Sequence, residues 1–193
     1  MTGDASTLQQ TATGWRAESS DGTVNAQQAV VALGPWADTL TRRLGYKLPL
    51  MIKRGYHRHY TGGAGLNLAT YDTERGFLMA PQQRGLRITT GAELASMGAT
   101  PTPRQLAGCE TAARELFDLG QPVESQPWLG NRPCVADMKP IIGPAPRHQG
   151  LWFNFGHGHQ GFTLGPASAR LLSDLIEGST PYTEAECFSP ARF

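Results

Sequence analysis

The sequence predicts an α+β fold in which an antiparallel sheet is inserted into a unit built on buried strands. Three observations predict it. The apolar run Ala29-Val30-Val31-Ala32-Leu33 ends at Gly34-Pro35 and suits a strand covered on both faces, as in parallel sheets. From Lys47 the texture changes to short segments parted by glycine-rich turns, the pattern of an antiparallel meander. The last third returns to a strand, a glycine turn and a helix.

Taken in order, residues 14–19 alternate, Asp21-Gly22 supplies a tight-turn dipeptide, and 23–26 return as the second arm of a hairpin. After the buried run, 36–44 read as a short helix. In the middle, 49–60, 66–71, 76–81 and 85–91 are strands, with one face buried and the other open to a ligand. A helix from Thr102-Pro103 to Leu119 has Thr102 as N-cap, Pro103 in its first turn and Gly120 as its stop. Leu106, Ala113, Leu116 and Phe117 form its core stripe. Pro and Gly punctuate 140–146 around Ile141-Ile142; 150–155 is a strand, and 164–177 a helix ended by Gly178. The first and last parts are expected to share one sheet.

The chain has 193 residues, enough for one domain or two small lobes with a real core. Hydrophobic residues at 39% and charged residues at 17% give a globular balance. Seventeen Lys and Arg against sixteen Asp and Glu, with no basic run, leave no surface for nucleic acid. Cys109, Cys134 and Cys187 are far apart and form no CxxC pair, which fits a reducing, cytoplasmic setting rather than a disulfide framework or zinc knuckle. The polar N-terminus has no signal-like region, and no segment has the apolar length to cross a bilayer. Attachment to the face of an inner membrane is the other location left open.

Gly156-His157-Gly158-His159-Gln160-Gly161 satisfies G-x-G-x-x-G between a strand and a helix. A dinucleotide fingerprint also needs a second parallel strand after the helix, ending in an acid. Here Gly178-Ser179-Thr180-Pro181 and a short tail follow, so that reading is set aside. Its physical basis survives: glycines let a ligand approach the backbone, and the free N–H groups of a helix start attract negative charge. The competing reading is a tight turn whose glycines serve packing only. Gly165-Pro166-Ala167-Ser168 misses the G-x-S-x-G elbow, which points away from a hydrolase.

Three segments in order carry a resemblance. They are Val30-Val31-Ala32-Leu33-Gly34-Pro35-Trp36-Ala37; Pro49-Leu50 with Lys53-Arg54-Gly55-Tyr56-His57; and a long third one. The third runs from Gly130-Asn131-Arg132-Pro133 through Asp137 and Pro140-Ile141-Ile142-Gly143-Pro144 to Gly156 and on to Leu164. Together they resemble the latter half of the FAD-dependent oxidoreductases that include D-amino-acid dehydrogenase, glycine oxidase and sarcosine oxidase. The resemblance implies a partial FAD-binding, split Rossmann-like domain (residues 1–46 and 130–193) with an inserted antiparallel β-sheet substrate domain (47–129). It implies FAD as cofactor and oxidative deamination of a D-amino acid or related amine: a hydride passes to the flavin, and the imine is hydrolysed.

On that resemblance Arg132, in a G-x-R-P setting, fixes the substrate carboxylate; the competing reading is a structural pair with an acid such as Asp137. Tyr56 and His57 line the substrate cavity, or His57 is a structural histidine. Gly34 allows close approach of the cofactor, and Gly156, His157, Gly158, His159, Gln160, Gly161, Phe162 and Thr163 hold the flavin edge. Phe162 and Trp152 are read as core aromatics and Trp36 as a packing residue. His57, His59, His157 and His159 raise the question of zinc, but no acid stands at ligand spacing, so no metal is expected.

The sequence departs from the family pattern twice. Val135-Ala136 stands where members carry Thr or Ser and then Pro, and the amino-terminal glycine-rich βαβ unit that grips the ADP part of FAD has no counterpart. The chain is therefore expected not to catalyse alone, and to dimerise, swap strands or pair with another chain. The rival reading is a fragment without cofactor that binds at most a small ligand or a partner.

Overall fold

The computed structural model describes residues 2–63 and 65–193. In chain order the strands and helices are β1 (Gln9–Thr11), β2 (Gly14–Ser19), β3 (Gly22–Ala26), β4 (Ala29–Val31), α1 (Ala37–Arg43), β5 (Leu50–Tyr60), β6 (Thr70–Asp72) and β7 (Phe77–Gln82). They continue as β8 (Gly85–Leu94), α2 (Arg104–Leu116), β9 (Trp128–Val135), β10 (Ile141–Pro144), β11 (Leu151–Phe155) and α3 (Gly161–Glu177). The chain divides into two compact units, residues 1–51 with 132–193 and residues 52–131. No helix among the described residues is long and apolar enough to cross a membrane.

In the first unit β1, β2 and β3 form an antiparallel meander, and a second sheet has the order β10-β11-β4. The expected sharing of one sheet is seen there: β4 pairs with β11 in parallel, Val31 opposite Phe153. Leu151, Phe153 and Phe155 send alternate side chains into a core with Trp15, Leu40, Tyr46 and Ile141. On the opposite face Ile142 and Trp152 pack with Leu171 and Leu172 of α3. β11 is thus covered on both sides. β4 is not: it has one strand partner, and Val30 is 48% exposed, so the apolar run is an edge strand rather than the doubly covered one expected.

The second unit is a five-stranded sheet of order β6-β7-β8-β5-β9 with α2 on one face. Tyr56, Tyr60, Phe77, Met79, Leu86 and Ile88 meet Leu106, Cys109 and Ala113 of α2 there. The stripe is shorter than the sequence suggests: the helix stops at Leu116, which is 53% exposed on the last turn. Thr102 does not cap α2. Pro103 holds that position without a side-chain bond, while the Thr102 hydroxyl donates to Glu93 Oε1. The strand expected over 66–71 shrinks to Thr70–Asp72, with Leu68 exposed, and Ala64 before it lies outside the described residues.

Candidate functional site

Two glycine turns leave the sheet of the first unit side by side. Because β4 and β11 run parallel with Val31 level with Phe153, Gly34 and Gly156 both lie just beyond the same carboxyl edge. That edge is where open α/β sheets place their ligands. Both turns are left-handed, with φ of +54° at Gly34 and +86° at Gly156. A Cβ on Gly34 would meet nothing within 4 Å, so the space over that turn is open. A Cβ on Gly156 would come within 2.7 Å of Cγ2 of Val135, itself fully buried. Gly156→Ala is expected to cost about 1–3 kcal/mol in urea unfolding, through backbone strain. Unchanged stability would contradict that account.

The second turn is docked on the end of β9. Gly158 N–H donates to the Pro133 carbonyl at 2.8 Å, and Cys134 forms a β-bridge with His157. The Ser168 hydroxyl can donate to the Leu164 carbonyl at 2.9 Å, which leaves its oxygen to accept from His157 Nε2 at 3.1 Å. The imidazole then carries its proton on Nε2, and burial holds its pKa below the ordinary 6.5. His157 therefore fastens the turn to α3 as a neutral ring.

Helix α3 begins at Gly161, three residues before the position read from the sequence. Pro166 sits inside the helix and removes the N–H that would have bonded the Phe162 carbonyl. No side chain caps the start, and Gln160, Gly161, Phe162 and Thr163 are exposed. The N–H groups of Gly161, Phe162 and Thr163 are thus open donors at the positive end of the helix dipole. Phe162 is 99% exposed and not the core aromatic expected, whereas Trp152 does pack in the core. His159 is also exposed at the turn. Asn154 Oδ1, two residues before Gly156, is buried without a hydrogen-bond partner. Open donors, an unpartnered acceptor and a turn with free space above it suit a flat ligand with an electron-rich polar edge.

Arg132 is half-buried and directly precedes Pro133, so its backbone adjoins the glycine turn. The acid read as its possible structural partner, Asp137, is held by Arg192, whose Nε lies 2.9 Å from Oδ2. Arg192 and the Lys139 N–H hold the Asp137 carboxyl below the usual carboxylate range, against the effect of burial. Sequence reading missed this clasp, because 55 residues separate the partners.

In the second unit the neighbours Tyr56 and His57 point to opposite faces of β5. Tyr56 is 3% exposed in the core on the α2 side, donates to Glu93 Oε2 at 2.6 Å and accepts from Thr102 N–H. His57 stacks on Trp128, with ring centroids 4.6 Å apart. The two do not line one cavity, and only His57 stands on the face away from α2. His57 and His59 lie edge to face, and the described residues contain no group of three His, Cys, Asp or Glu able to hold a metal.

The model of the FAD dependent oxidoreductase (DAO) family matches residues 2–175. The chain belongs to this family. FAD is the DAO family's cofactor. The chain is 34% identical to a D-amino acid dehydrogenase of Cereibacter sphaeroides, over 87% of this chain and 39% of that one. It is 32% identical to a glycine oxidase of Pseudomonas putida, over 90% of this chain and 48% of that one. An uncharacterized oxidoreductase of Halorhodospira halophila is also 32% identical, over 91% of this chain and 83% of that one. The fold matches glycine oxidase from Geobacillus kaustophilus with a TM-score of 0.82 at 21% identity, over 99% of this chain and 52% of that one. The chain thus spans about two-fifths to half the length of the first two DAO relatives.

Proposed function

We propose that this chain is the segment of a DAO-family oxidoreductase that holds the flavin edge and the substrate, and that the whole enzyme oxidatively deaminates a D-amino acid or related amine. In this reading residues 1–51 and 132–193 form part of the FAD-binding domain, and 52–131 form the substrate domain. The observation that carries it is the pairing of β4 with β11, which sets the Gly34 and Gly156 turns at one sheet edge beside the uncapped head of α3. FAD bound there would accept the hydride from the carbon bearing the amine.

The chain's own residues would act by binding and orientation. The N–H groups of Gly161, Phe162 and Thr163 would favour negative charge at the ring edge. Gly34 would let the backbone approach the ring without a Cβ in the way, while Gly156 and Gly158 would let the turn pack against Val135 and Cys134 and so hold it in place. His157, His159 and Gln160 would flank that edge; His157 is tied to Ser168 and so has a structural task rather than a proton to deliver. Arg132 would grip the substrate carboxylate with two parallel hydrogen bonds, and His57 would contribute to the substrate face. The test is anaerobic mixing of the flavin-loaded whole enzyme that contains this segment with small D-amino acids, glycine and sarcosine. Bleaching of the flavin absorbance by at least one of them is expected, and a flavin that none of them bleaches would refute the reading.

A further inference from the structure

The sheet of the second unit has α2 on one face; the other face carries a cluster of which the proposed function uses His57 alone. Antiparallel pairing of β5 with β8 puts His57 opposite Thr89 and His59 opposite Arg87, so these four side chains share a face. Trp128 stacks on His57 at an interplanar angle of 21°, and His59 meets His57 edge-on with centroids 5.3 Å apart.

Arg87 is half-buried, and its Nε is shut off from solvent with no acceptor. Thr89 Oγ1, two residues along the same strand face, is likewise buried without a partner. The acid that faces the cluster, Glu124, is already engaged. It takes the His59 backbone N–H at 2.9 Å and the ring Nδ1 at 2.8 Å, and Arg84 approaches it from the solvent side at 3.8 Å. Among the described residues no ion pair forms on Arg87. Burial first, and then the charge of Arg87 and of His59, hold the His57 pKa below its ordinary 6.5, against the pull of Glu124. The face thus presents a positive charge without an answering anion. Keeping a cation out of water in that state is costly, and an incoming anion would relieve the cost.

We propose that this face is a carboxylate-binding site, with the Arg87 guanidinium as the anchor, the Thr89 hydroxyl as a second donor and the His57–Trp128 ring pair as its wall. A carboxylate matches the fork of a guanidinium edge, and one hydroxyl beside it completes a planar two-oxygen acceptor.

The experiment follows the His57 ring by NMR in the full chain during titration with succinate and, separately, with inorganic phosphate. Succinate should raise the His57 pKa and saturate. Arg87→Gln should raise the His57 pKa in the absence of any ligand and weaken succinate binding on the order of tenfold or more, while Arg87→Lys keeps part of the affinity. A His57 ring unmoved by succinate, equal succinate binding by Arg87→Gln, or tighter binding of phosphate than of succinate would each overturn the assignment. No flavin is needed for this titration, so its failure and the failure of amines to reduce flavin are separate results.

Discussion

Arg132→Ala in the flavin-loaded whole enzyme is expected to lower kcat/KM for the amino-acid substrate by roughly 30- to 5,000-fold. That range corresponds to about 2–5 kcal/mol for truncating one partner of a buried, hydrogen-bonded charge pair. The effect should fall on substrates that carry a carboxylate, because the guanidinium's proposed task is to hold that group and so place the carbon bearing the amine. A simple amine without a carboxylate should lose little. Arg132→Lys should recover only part of the activity, since an ammonium offers charge without the two-pronged geometry. Steady-state kinetics on both substrate types check this, and an equal loss on both would remove Arg132 from carboxylate binding. The neighbouring Asp137–Arg192 clasp gives the control: Arg192→Gln should affect stability before it affects substrate preference.

Arg54→Met is the second large effect, and it concerns stability. Arg54 is fully buried and donates from Nε to Glu93 Oε2 at 2.8 Å and from Nη2 to the Thr100 carbonyl at 3.0 Å, with Nη1 2.5 Å from the Ala99 carbonyl. Glu93 is also bonded by the Tyr56 and Thr102 hydroxyls. Methionine keeps most of the side-chain volume but leaves these acceptors without their cation, at an expected cost of about 3–5 kcal/mol in urea unfolding. A loss under about 1 kcal/mol would show the network to be marginal. The network also predicts an acid limb. Bonds from Thr102 first, then Tyr56 and Arg54, hold the Glu93 carboxyl below its ordinary 4.5. Its folded pKa is therefore depressed, and its contribution is full above 4.5 and lost as pH falls through the folded value. Arg54→Met should flatten that limb.

What the sequence revealed, and what it hid, divides by the range of the interactions. The Gly156 turn and the strand before it were legible because glycine pattern and apolar alternation are local signals. The Arg54 network was not. A bulge shifts the β5–β8 register between Arg54 and Tyr56, with Gly91 at φ +103° on the facing strand, and brings Glu93 to both residues. No residue pattern marks that shift, so Tyr56 read as a cavity residue when its hydroxyl was already committed to the core. Thr102 looked like an N-cap because it precedes a proline and a helix, but Glu93 competes for its hydroxyl from nine positions away. Phe162 read as core on hydrophobicity alone, although the helix turn on which it stands is the exposed one. Arg87 gave no signal at all, since its distinguishing feature is the acceptor it does not have.

The central claim is that the uncapped head of α3 and the turn before it receive the flavin edge. Amide hydrogen exchange with and without saturating FAD measures this directly. Slowed exchange concentrated at residues 156–163, with Gly161, Phe162 and Thr163 most affected, is the expected result. Exchange at those amides that FAD leaves unchanged, while protection develops elsewhere in the chain, would contradict it.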